Sequence, residues 1–573
     1  MDKNDVARVL TEIAAFLELQ GESTYRVRAY RAAARAISAY PRDVRHALHS
    51  GALAEVKGIG SATLDIIEEV LNTGHSTMLA ALRAQVPHGL VEMLRVAGLG
   101  VAKVRQIHEV LDIDSLDELE AAARDGRLAT LTRFGPRTAE RVLRGISALR
   151  HEGGYRLFHH ARDEARALVS VLTAMPAVRR VDITGAVRRC RETIRHLEFV
   201  IEIDGPVEPV YERLGAAPGV REWVHADERA VTLTFHSGMV ADLQLSSPEQ
   251  YGFQLVRSTG NVDHVAALMA RAAARGLRWT DGGLLHEGMP LPMTTESDCY
   301  EALGLPWIPP ELREGIGEIE AAAGGALPDL VTREDIIGFL HCHTNYSDGS
   351  SPIEDWATAC AGAGFRYVGI TDHSQASTYS GGLAPDAIAR QHAEIDAVNR
   401  RHRSIRILKG VEADILADGS LDYTPAIRAR FDFIIGSLHD GYGMDASAMT
   451  QRVLTAMDDP TMTIFGHPTG RLLLSRDPFP MDLDRIFDKA ADRGVAIEIN
   501  ADPQRLDLDW RVLRQATSAG VTISIGADAH HTAGMSNIDI GIGIARKGWL
   551  TATQVLNTRP TEGFLAFADR AGA

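Results

Sequence analysis

The sequence predicts a multidomain chain in which an α-helical N-terminal part precedes an α+β part and a C-terminal α/β part. Three observations lead to this fold class. The length of 573 residues corresponds to three or four domains at ~150 residues each. Apolar residues recur at helical spacing in residues 1–150 but with a period near two from about 180 to 245. After residue 336, short apolar strands alternate with amphipathic helices, which is the rhythm of a parallel β/α domain.

The composition excludes several classes of protein. No run of 18 uninterrupted apolar residues occurs, so we expect neither a membrane span nor a membrane partner. Residues 1–5 lack the apolar core of a secretion signal. Four cysteines are too few for a disulfide framework, so we expect a cytoplasmic protein. The net charge of −16 argues against a uniformly basic coat for nucleic acid.

Residues 1–150 are predicted to form short helices separated by glycine turns. Residues 53–63, 96–103 and 131–138 each combine a helix end, a glycine-containing hairpin and a new helix. Glycine lets a backbone approach a phosphate closely, and the next helix N-terminus presents free N–H groups to it. Beside four arginines between positions 26 and 35, the hairpins indicate DNA contact without sequence specificity, although a single hairpin is more often a plain helix turn. The glycines concerned are Gly58, Gly60, Gly98, Gly100 and Gly135.

Between residues 151 and 336 the pattern changes twice. Period-two stretches such as Val231–Phe235 and Val240–Leu245 predict strands, and residues 262–275 predict a helix. Residues 306–336 contain four prolines and a Gly-Gly pair, which predicts a connector. The predicted domains are therefore residues 1–150, 151–246, 247–305, the linker 306–336, and 337–573.

Metal-binding side chains follow the predicted strands of the C-terminal domain. Nine of the 22 histidines lie beyond residue 340, and His341 and His343 share one face of a strand because side chains alternate. Six histidines and three carboxylates fall at successive strand ends, where parallel β/α domains carry their sites. One zinc ion uses three or four ligands, so nine indicate two or three divalent ions, the alternative being a chance scatter of core and surface residues. The nine are His341, His343, Asp348, His373, Glu412, His439, His467, Asp528 and His530.

The sequence around these nine residues resembles the motif series of the PHP (polymerase and histidinol phosphatase) domain over residues 337–573. The matching segments are residues 341–349, 370–374, 409–412, 436–439, 466–468 and 526–530. The resemblance implies a distorted (β/α)7 barrel in which all nine residues are metal ligands and form the catalytic centre. It also implies zinc, manganese or iron in a trinuclear site that generates a hydroxide nucleophile for phosphoester hydrolysis. Arg471, shortly after His467, is either a phosphate-binding residue or an exposed structural arginine.

Residues 185–199 resemble the nucleotidyltransferase signature of family X DNA polymerases. With Asp242, residues 258–261 and the glycine hairpins, which resemble helix-hairpin-helix motifs, this resemblance spans about residues 1–300. Residues 300–305 and 309–315 also match the join to the PHP domain in bacterial members. The whole chain therefore resembles a bacterial family X polymerase fused to a PHP domain. This resemblance implies a helix-hairpin-helix domain, a nucleotidyltransferase-like palm over residues 151–246 and a thumb-like subdomain over residues 247–305.

The polymerase-like centre departs from the family pattern at positions that carry its chemistry. The family has serine at position 186 and aspartates at 196 and 198, whereas this chain has Ala186, His196 and Glu198 and retains only Asp242. Two-metal nucleotidyl transfer needs three carboxylates, and Mg²⁺ prefers oxygen ligands to imidazole. We therefore expect a degenerate centre that does not hold Mg²⁺.

Two features of this centre leave alternatives open. Glu202 and Asp204 either complete a displaced metal site with His196 and Glu198 or belong to a solvated strand end. Arg188 and Arg189 either hold phosphate or form surface ion pairs.

We expect a DNA-repair protein that acts mainly as a metal-dependent DNA phosphoesterase, with polymerase activity lost. The expected activities are 3′–5′ exonuclease, abasic endonuclease or 3′-phosphatase on gapped, nicked or abasic DNA, and the expected oligomeric state is a monomer. The alternatives are a gap-filling polymerase with a substituted metal site, a small-molecule phosphatase, and a non-catalytic scaffold for DNA ends.

Overall fold

The computed structural model describes residues 3–570, apart from residues 20–21, 39, 41–43, 50–52, 54–55, 57, 74–75, 84–87, 95, 97–98, 133, 153, 205–209, 211–212, 215–216, 218, 228, 237 and 442. The chain divides into two units, residues 1–153 and residues 154–573. None of the helices described is long and apolar enough to cross a membrane.

The first unit is helical, as its apolar spacing predicts. Its buried apolar residues form two clusters, one built by residues 6–82 and one mainly by residues 90–146. The helices are α1 (Lys3–Leu19), α2 (Thr24–Ser38), α3 (Val44–His49), α4 (Ser61–Thr73), α5 (Thr77–Arg83), α6 (His88–Met93), α7 (Val101–Leu111), α8 (Leu116–Arg124) and α9 (Pro136–Glu152).

The glycine hairpins lie where the sequence predicts them. Gly60, Gly100 and Gly135 immediately precede α4, α7 and α9, respectively. Gly58 has a φ of +105°, and a Cβ at this position would lie 3.3 Å from the Ala32 carbonyl oxygen, so the turn requires glycine. Gly98 lies outside the described residues.

The second unit begins with the palm, a five-stranded mixed sheet in the order β2-β4-β7-β6-β5 beside a two-stranded pair, β1-β3. Burial alternates along β6 and β7, as the period-two pattern predicts. The elements are β1 (Arg156–Leu157), α10 (Phe158–Thr173), β2 (Val178–Ile183), α11 (Gly185–Arg188), β3 (Thr193–Ile194), β4 (His196–Ile203), β5 (Val220–Asp227), β6 (Ala230–Phe235) and β7 (Val240–Ser246).

The thumb-like region combines three helices with a small antiparallel sheet. The helix predicted at residues 262–275 is present and ends one residue earlier. The elements are α12 (Tyr251–Thr259), α13 (Val262–Ala274), β8 (Leu277–Thr280), β9 (Gly283–His286), β10 (Met289–Pro290) and α14 (Glu296–Ala302).

The connector predicted at residues 306–336 is packed rather than extended. It contains a 3₁₀ turn (Pro310–Leu312) and α15 (Glu318–Ala323), and its apolar residues join the buried cluster of the thumb-like region. Several of its charged side chains are buried in ion pairs, although others are exposed. Arg313 donates to Glu296 at 2.6 Å, and Glu318 lies 2.6 Å from the Nδ1 atom of His264.

The C-terminal region is a closed barrel of seven parallel strands, which confirms the predicted (β/α)7 architecture. The strands are buried on both faces, in keeping with their nearly continuous apolar sequences. They are β11 (Gly338–Cys342), β12 (Tyr367–Ile370), β13 (Arg406–Asp414), β14 (Phe433–Ser437), β15 (Met462–Phe465), β16 (Ala496–Asn500) and β17 (Ile523–Ala529). The helices are α16 (Ile353–Gly362), α17 (Pro385–Arg401), α18 (Pro425–Arg428), α19 (Ala446–Ala456), α20 (Leu483–Arg493), α21 (Trp510–Ser518), α22 (Asn537–Lys547) and α23 (Thr561–Arg570).

Two strands run further than the apolar pattern indicates. β13 continues to Asp414 and β17 continues to Ala529, so Glu412 and Asp528 lie within strands rather than after them. Cys342, which lies between His341 and His343 in the sequence, is fully buried.

Candidate metal centre and polymerase-like centre

The structure brings all nine predicted ligands together at the carboxyl ends of the barrel strands. They form four groups, and within each group the potential ligand atoms lie within 4.8 Å of one another. Four residues belong to two groups each, so the groups adjoin. The groups are His343, Asp348, His373 and His530; His341, Glu412 and His467; His341, His343 and Asp528; and His373, Glu412 and His439.

The carboxylate of Glu412 lies close to the ring nitrogens of several histidines. Its Oε1 atom lies 2.8 Å from His467 Nε2 and 3.3 Å from His439 Nε2. Its Oε2 atom lies 3.0 Å from His373 Nδ1 and 3.5 Å from His341 Nε2. Burial raises the pKa of Glu412, but the surrounding histidines, His373 first, outweigh it and hold the pKa well below its usual range. The side chain is therefore an ionised carboxylate, the form that bridges cations.

The other two carboxylates of the cluster, those of Asp348 and Asp528, also lie close to histidine ring nitrogens. Asp348 Oδ2 is 3.4 Å from both His373 Nε2 and His530 Nε2. Asp528 Oδ1 is 3.3 Å from His343 Nε2. Asp348 is thus the carboxylate nearest His530, and Asp528 shares His343 Nε2 with Glu412, whose Oε2 atom lies 3.7 Å from that nitrogen.

These residues fit divalent cations. Two ligands of a tetrahedral ion with bonds of about 2.0–2.1 Å lie about 3.4 Å apart, which matches the nitrogen-to-oxygen distances above. His341 Nε2, His467 Nδ1 and both ring nitrogens of His343 are buried without a hydrogen-bond partner in the described part of the chain. Burial lowers the pKa of His343, and its neutral imidazole is the form that coordinates metals. In four other histidines of the cluster, neighbouring carboxylates outweigh burial and raise the pKa, so the site favours positive charge. The mixed nitrogen and oxygen set suits zinc, manganese or iron.

Three of the candidate ligands have strained backbones. The φ angles are +59° at His341, +24° at His467 and +47° at Asp528, a region that non-glycine residues adopt at a cost of about 1–3 kcal/mol. The pairing of β11 with both of its neighbours is also irregular around His341. Such strain persists where the surrounding packing dictates it, and here it directs three side chains into one centre.

Two carboxylates that the sequence reasoning missed orient histidines of the cluster. Glu498 Oε1 lies 2.6 Å from His341 Nδ1, and Asp414 Oδ1 lies 2.6 Å from His439 Nδ1. A carboxylate on the second ring nitrogen sets the orientation and basicity of a metal-binding histidine. A charged residue inside the buried strand Ala496–Asn500 is the sequence signal that points to Glu498.

Asp372 supports the cluster without belonging to its four groups. Its carboxylate accepts hydrogen bonds from the backbone N–H and hydroxyl of Thr344, from Ser347 and from Gln391. These bonds hold the loop that carries Asp348.

Two arginines near the cluster have different roles. Arg471 is buried, donates to Asp509 at 2.5 Å and to the carbonyl of Arg505 at 2.9 Å, so it is structural but not exposed. Arg505, which the sequence reasoning missed, has its Nε atom 3.5 Å from Asp528 Oδ2. Nothing in the local sequence distinguishes Arg505 from an ordinary loop arginine.

The polymerase-like centre lies on β4 and β7 of the palm. Glu198 is opposite Asp242 in the parallel register. His196 Nδ1 lies 3.5 Å from Asp242 Oδ2, and Thr232 donates to Asp242 Oδ1 at 2.6 Å. Burial raises the pKa of Asp242, but hydrogen bonds from His196 and Thr232 outweigh it and lower the pKa. The retained aspartate is thus bound by neighbours of its own sheet.

Glu198 is folded against the turn that begins the nucleotidyltransferase-like motif. Its Oε2 atom lies 1.5 Å from where a Cβ on Gly185 would stand, and the Ala186 N–H donates to its carboxylate. Burial raises the pKa of Glu198. Among the described residues, His196, Glu198 and Asp242 do not form a group with metal-ligand spacing.

The displaced-site residues are paired with arginines. Glu202 is buried and accepts from Arg180 at 2.5 Å. Asp204 pairs with Arg179 at the exposed end of the strand. The solvated-strand-end interpretation therefore holds for Asp204 but is wrong for Glu202, whose side chain is buried in an ion pair.

The two motif arginines are bound by carboxylates of the thumb-like region and the connector. Both Nη atoms of Arg188 donate to Glu296 at 2.8 Å. Arg189 donates to Glu314 at 2.9 Å. These pairs are largely buried, unlike the surface ion pairs considered above.

Glu314 also links the palm to the barrel. Lys547, at the end of α22, is fully buried, pairs with Glu314 and donates to the Arg189 carbonyl at 2.9 Å. Burial lowers the pKa of Lys547 to about 8. Nearby, a Cβ at Gly543 would lie 2.9 Å from Cys190 Sγ, so α22 and the palm approach closely.

Family descriptions match four parts of the chain. They are a helix-hairpin-helix domain over residues 1–76, a SAM-like helix-hairpin-helix tandem over residues 90–147, a DNA polymerase beta thumb over residues 254–314 and a PHP domain over residues 340–502. The helix-hairpin-helix and thumb matches indicate DNA binding, and the His/Asp/Glu cluster of the barrel indicates divalent metal binding. Together they define the chain as an enzyme of nucleic-acid metabolism.

Similar proteins narrow this class. The DNA polymerase/3′-5′ exonuclease PolX of Bacillus subtilis (strain 168) is 33% identical over 574 residues, covering 100% of both chains. A probable phosphatase from Thermoanaerobacter sp. (strain X514) is 26% identical over 230 residues, 38% of this chain and 89% of that protein. A probable phosphatase from Clostridium acetobutylicum is 31% identical over 154 residues, 25% of this chain and 61% of that protein. The chain belongs to the bacterial family X DNA polymerases that carry a C-terminal PHP domain.

Proposed function

We propose that this chain is a metal-dependent DNA phosphoesterase that trims 3′ ends, and that it has lost templated DNA synthesis. The observation that carries the proposal is the convergence of nine candidate metal-binding side chains in the barrel, whereas in the palm Asp242 is bound within its own sheet and Glu198 is folded against the turn at Gly185. The same centre is the proposed site of the other two activities of this class, abasic endonuclease and 3′-phosphatase. The relative named a polymerase and 3′-5′ exonuclease supports the choice of DNA as substrate.

The metal ligands of this activity are the nine residues of the four groups. Glu412 lies within 3.7 Å of ring nitrogens of five of the six histidines, and Asp348 is the carboxylate nearest the sixth, His530. Divalent ions bound there supply a nucleophile at neutral pH and neutralise the charge of a phosphate. Glu498 and Asp414 hold the rings of His341 and His439 in the orientation that coordination needs.

Arg505 is the protein cation proposed to bind the phosphate. It borders Asp528, and its side chain keeps 19% of its surface exposed. A guanidinium at this position has donors left over to bind phosphate oxygens. Arg471 holds the loop of Arg505 by donating to that residue's carbonyl.

The proposed loss of synthesis follows from how the palm side chains are used. Polymerisation needs three carboxylates that hold Mg²⁺ and free cations that bind a triphosphate. His196 takes one carboxylate position, Glu198 is turned onto the Gly185 turn, and Arg188 and Arg189 are held by Glu296 and Glu314. A triphosphate would therefore find neither bound Mg²⁺ nor the side chains of Arg188 and Arg189 available in the palm.

The test is a labelled gapped duplex incubated with the protein and Mn²⁺, with and without deoxynucleoside triphosphates. We expect the primer to shorten in both reactions, and His341→Ala to stop the shortening. Primer lengthening by the unmodified protein would overturn the loss of synthesis. Hydrolysis of p-nitrophenyl phosphate without any change in the DNA would favour the small-molecule phosphatase that the barrel relatives suggest.

A second candidate function, gap filling with a substituted metal site, is favoured by the retained register of Glu198 and Asp242 on adjacent strands. The double variant His196→Asp, Glu198→Asp discriminates between the two functions. We expect templated extension from the double variant and none from the unmodified chain, both measured with His341→Ala in the background to prevent degradation. Equal extension by both proteins would show that the substituted centre is active.

A further inference from the structure

The rim of the barrel centre carries an exposed aromatic side chain. Tyr379 lies in a 3₁₀ turn (Thr378–Ser380) within the loop that follows β12. Its side chain is 74% exposed, and it is the one exposed large apolar side chain among the residues described between 338 and 570. Burial of apolar surface therefore does not explain its presence.

Tyr379 is adjacent to a candidate metal ligand. Its ring centroid lies 6.4 Å from that of His439, at an interplanar angle of 80°. His439 in turn is 3.3 Å from Glu412. The edge-to-face contact occupies one part of the tyrosine ring and leaves most of the ring in solvent.

The loop that presents Tyr379 is anchored to the centre at both ends. Ser374 N donates to the Glu412 carbonyl at 2.9 Å, and Leu383 N donates to the His373 carbonyl at 2.9 Å. Between them, Ala376 N donates to Asp422 at 2.7 Å. The position of the exposed ring relative to the metal ligands is therefore defined by hydrogen bonds to the strands that carry those ligands.

We propose that Tyr379 is a nucleobase-stacking platform that makes the barrel centre select nucleic-acid strands over small phosphoesters that lack an aromatic ring. A base adjoining the phosphate under attack stacks on the exposed face of the ring. Stacking of a base on an aromatic side chain changes affinity by about 5- to 150-fold and tolerates any base, because every base has a π-face. A phosphorylated small molecule without an aromatic ring gains nothing from this contact.

This inference rests on the proposed function, since it assigns the substrate class of the same centre. Stacking can nevertheless be measured without hydrolysis. A single-stranded oligonucleotide carrying 2-aminopurine at its 3′ end reports stacking as fluorescence quenching. A second oligonucleotide with 2-aminopurine at the penultimate position reports which of the two bases adjoining the phosphate is stacked.

We expect quenching of one of these probes by the unmodified protein and by Tyr379→Phe, and its loss in Tyr379→Ala. Hydrolysis should follow the same order. Tyr379→Ala is expected to lower kcat/KM on an intact oligonucleotide about tenfold, and this loss should vanish on an oligonucleotide that lacks the stacked base. Metal content should remain that of the unmodified protein, because Tyr379 is not a ligand.

Three outcomes would overturn the inference. They are equal quenching by Tyr379→Ala and the unmodified protein, an equal loss of hydrolysis on substrates with and without the base, and loss of metal from Tyr379→Ala, which would make the tyrosine a positioning residue for His439. Quenching without hydrolysis by the unmodified protein would instead contradict the proposed function and leave the stacking contact in place.

Discussion

In the barrel centre, His341 Nε2 and both ring nitrogens of His343 are buried without a hydrogen-bond partner within the described residues, and carboxylates face them at distances that suit a shared cation. In the palm, the carboxylates and arginines of the motif are bound by groups of the same chain, as Arg188 is by Glu296. Both regions are rich in charged and titratable residues. This difference is the one that the proposed function predicts, because ligands of a metal centre are left for the cation, whereas side chains no longer used for metal binding pair within the protein.

The largest expected effect comes from comparing a carboxylate-to-amide substitution in the barrel centre with one in the polymerase-like centre. Glu412→Gln removes the carboxylate that faces five histidines, and we expect nucleotide release to fall on the order of 10²–10³-fold, the cost of losing one electrostatic stabiliser. Asp242→Asn in the palm should leave nucleotide release unchanged. Metal content by plasma mass spectrometry should fall only in Glu412→Gln. Equal losses in the two variants would remove the distinction.

A substitution in the thumb-like region is expected to affect stability instead. Burial raises the pKa of Glu296, but Arg313 and Arg188 outweigh it and lower the pKa to about 2 from an ordinary 4.5. A lowered folded-state pKa contributes stability above pH 4.5, here about 3 kcal/mol, which is lost as the pH falls towards 2. Glu296→Gln should therefore destabilise the fold at pH 7 and reduce its further loss of stability in acid.

Urea unfolding midpoints at pH 7 and pH 3 test this expectation. The difference in urea midpoint between the unmodified protein and Glu296→Gln should be smaller at pH 3 than at pH 7. Nucleotide release at low temperature and pH 7 should be the same for both proteins. A constant gap across the two pH values would mean that Glu296 is not ionised in the folded chain.

The smallest expected effect concerns Glu498, which contacts a candidate metal ligand but is not itself a candidate ligand. Glu498→Gln weakens the hold on His341 Nδ1, and substitutions of such partners typically lower metal affinity or activity 10- to 100-fold. Competition with a chelator should show weaker metal retention, and Asp414→Asn should act similarly through His439. Metal retention equal to that of the unmodified protein in both variants would mean that these carboxylates support folding alone.

Much of the barrel centre could be predicted from sequence because of topology. Parallel strands end at one rim, so side chains such as His373, His439 and His467, which follow three different strands, must converge. Glu412 and Asp528 were expected beyond their strands and lie within them, because the strands remain paired past the apolar run.

The remaining features depend on long-range packing that local patterns do not encode. Glu314 lies in a segment whose prolines and charges resemble those of a solvated connector, and Glu296 lies shortly before it. Yet Glu314 binds Arg189 and Glu296 binds Arg188, each more than 100 residues away in the sequence. Arg505 reaches the centre from a loop with no distinguishing pattern. The substitutions at positions 186, 196 and 198 are visible in the sequence, but the pairing that replaces their chemistry is not.

The buried ammonium of Lys547 has a practical consequence for dissecting the chain. Its partners are Glu314 and the Arg189 carbonyl, both outside residues 337–573. A fragment cut at residue 337 would bring this ammonium and the neighbouring Gly543 surface into water, without the groups that now cover them. Truncation experiments should therefore retain the palm with the barrel. A smaller fragment would expose a former interface that favours non-specific association.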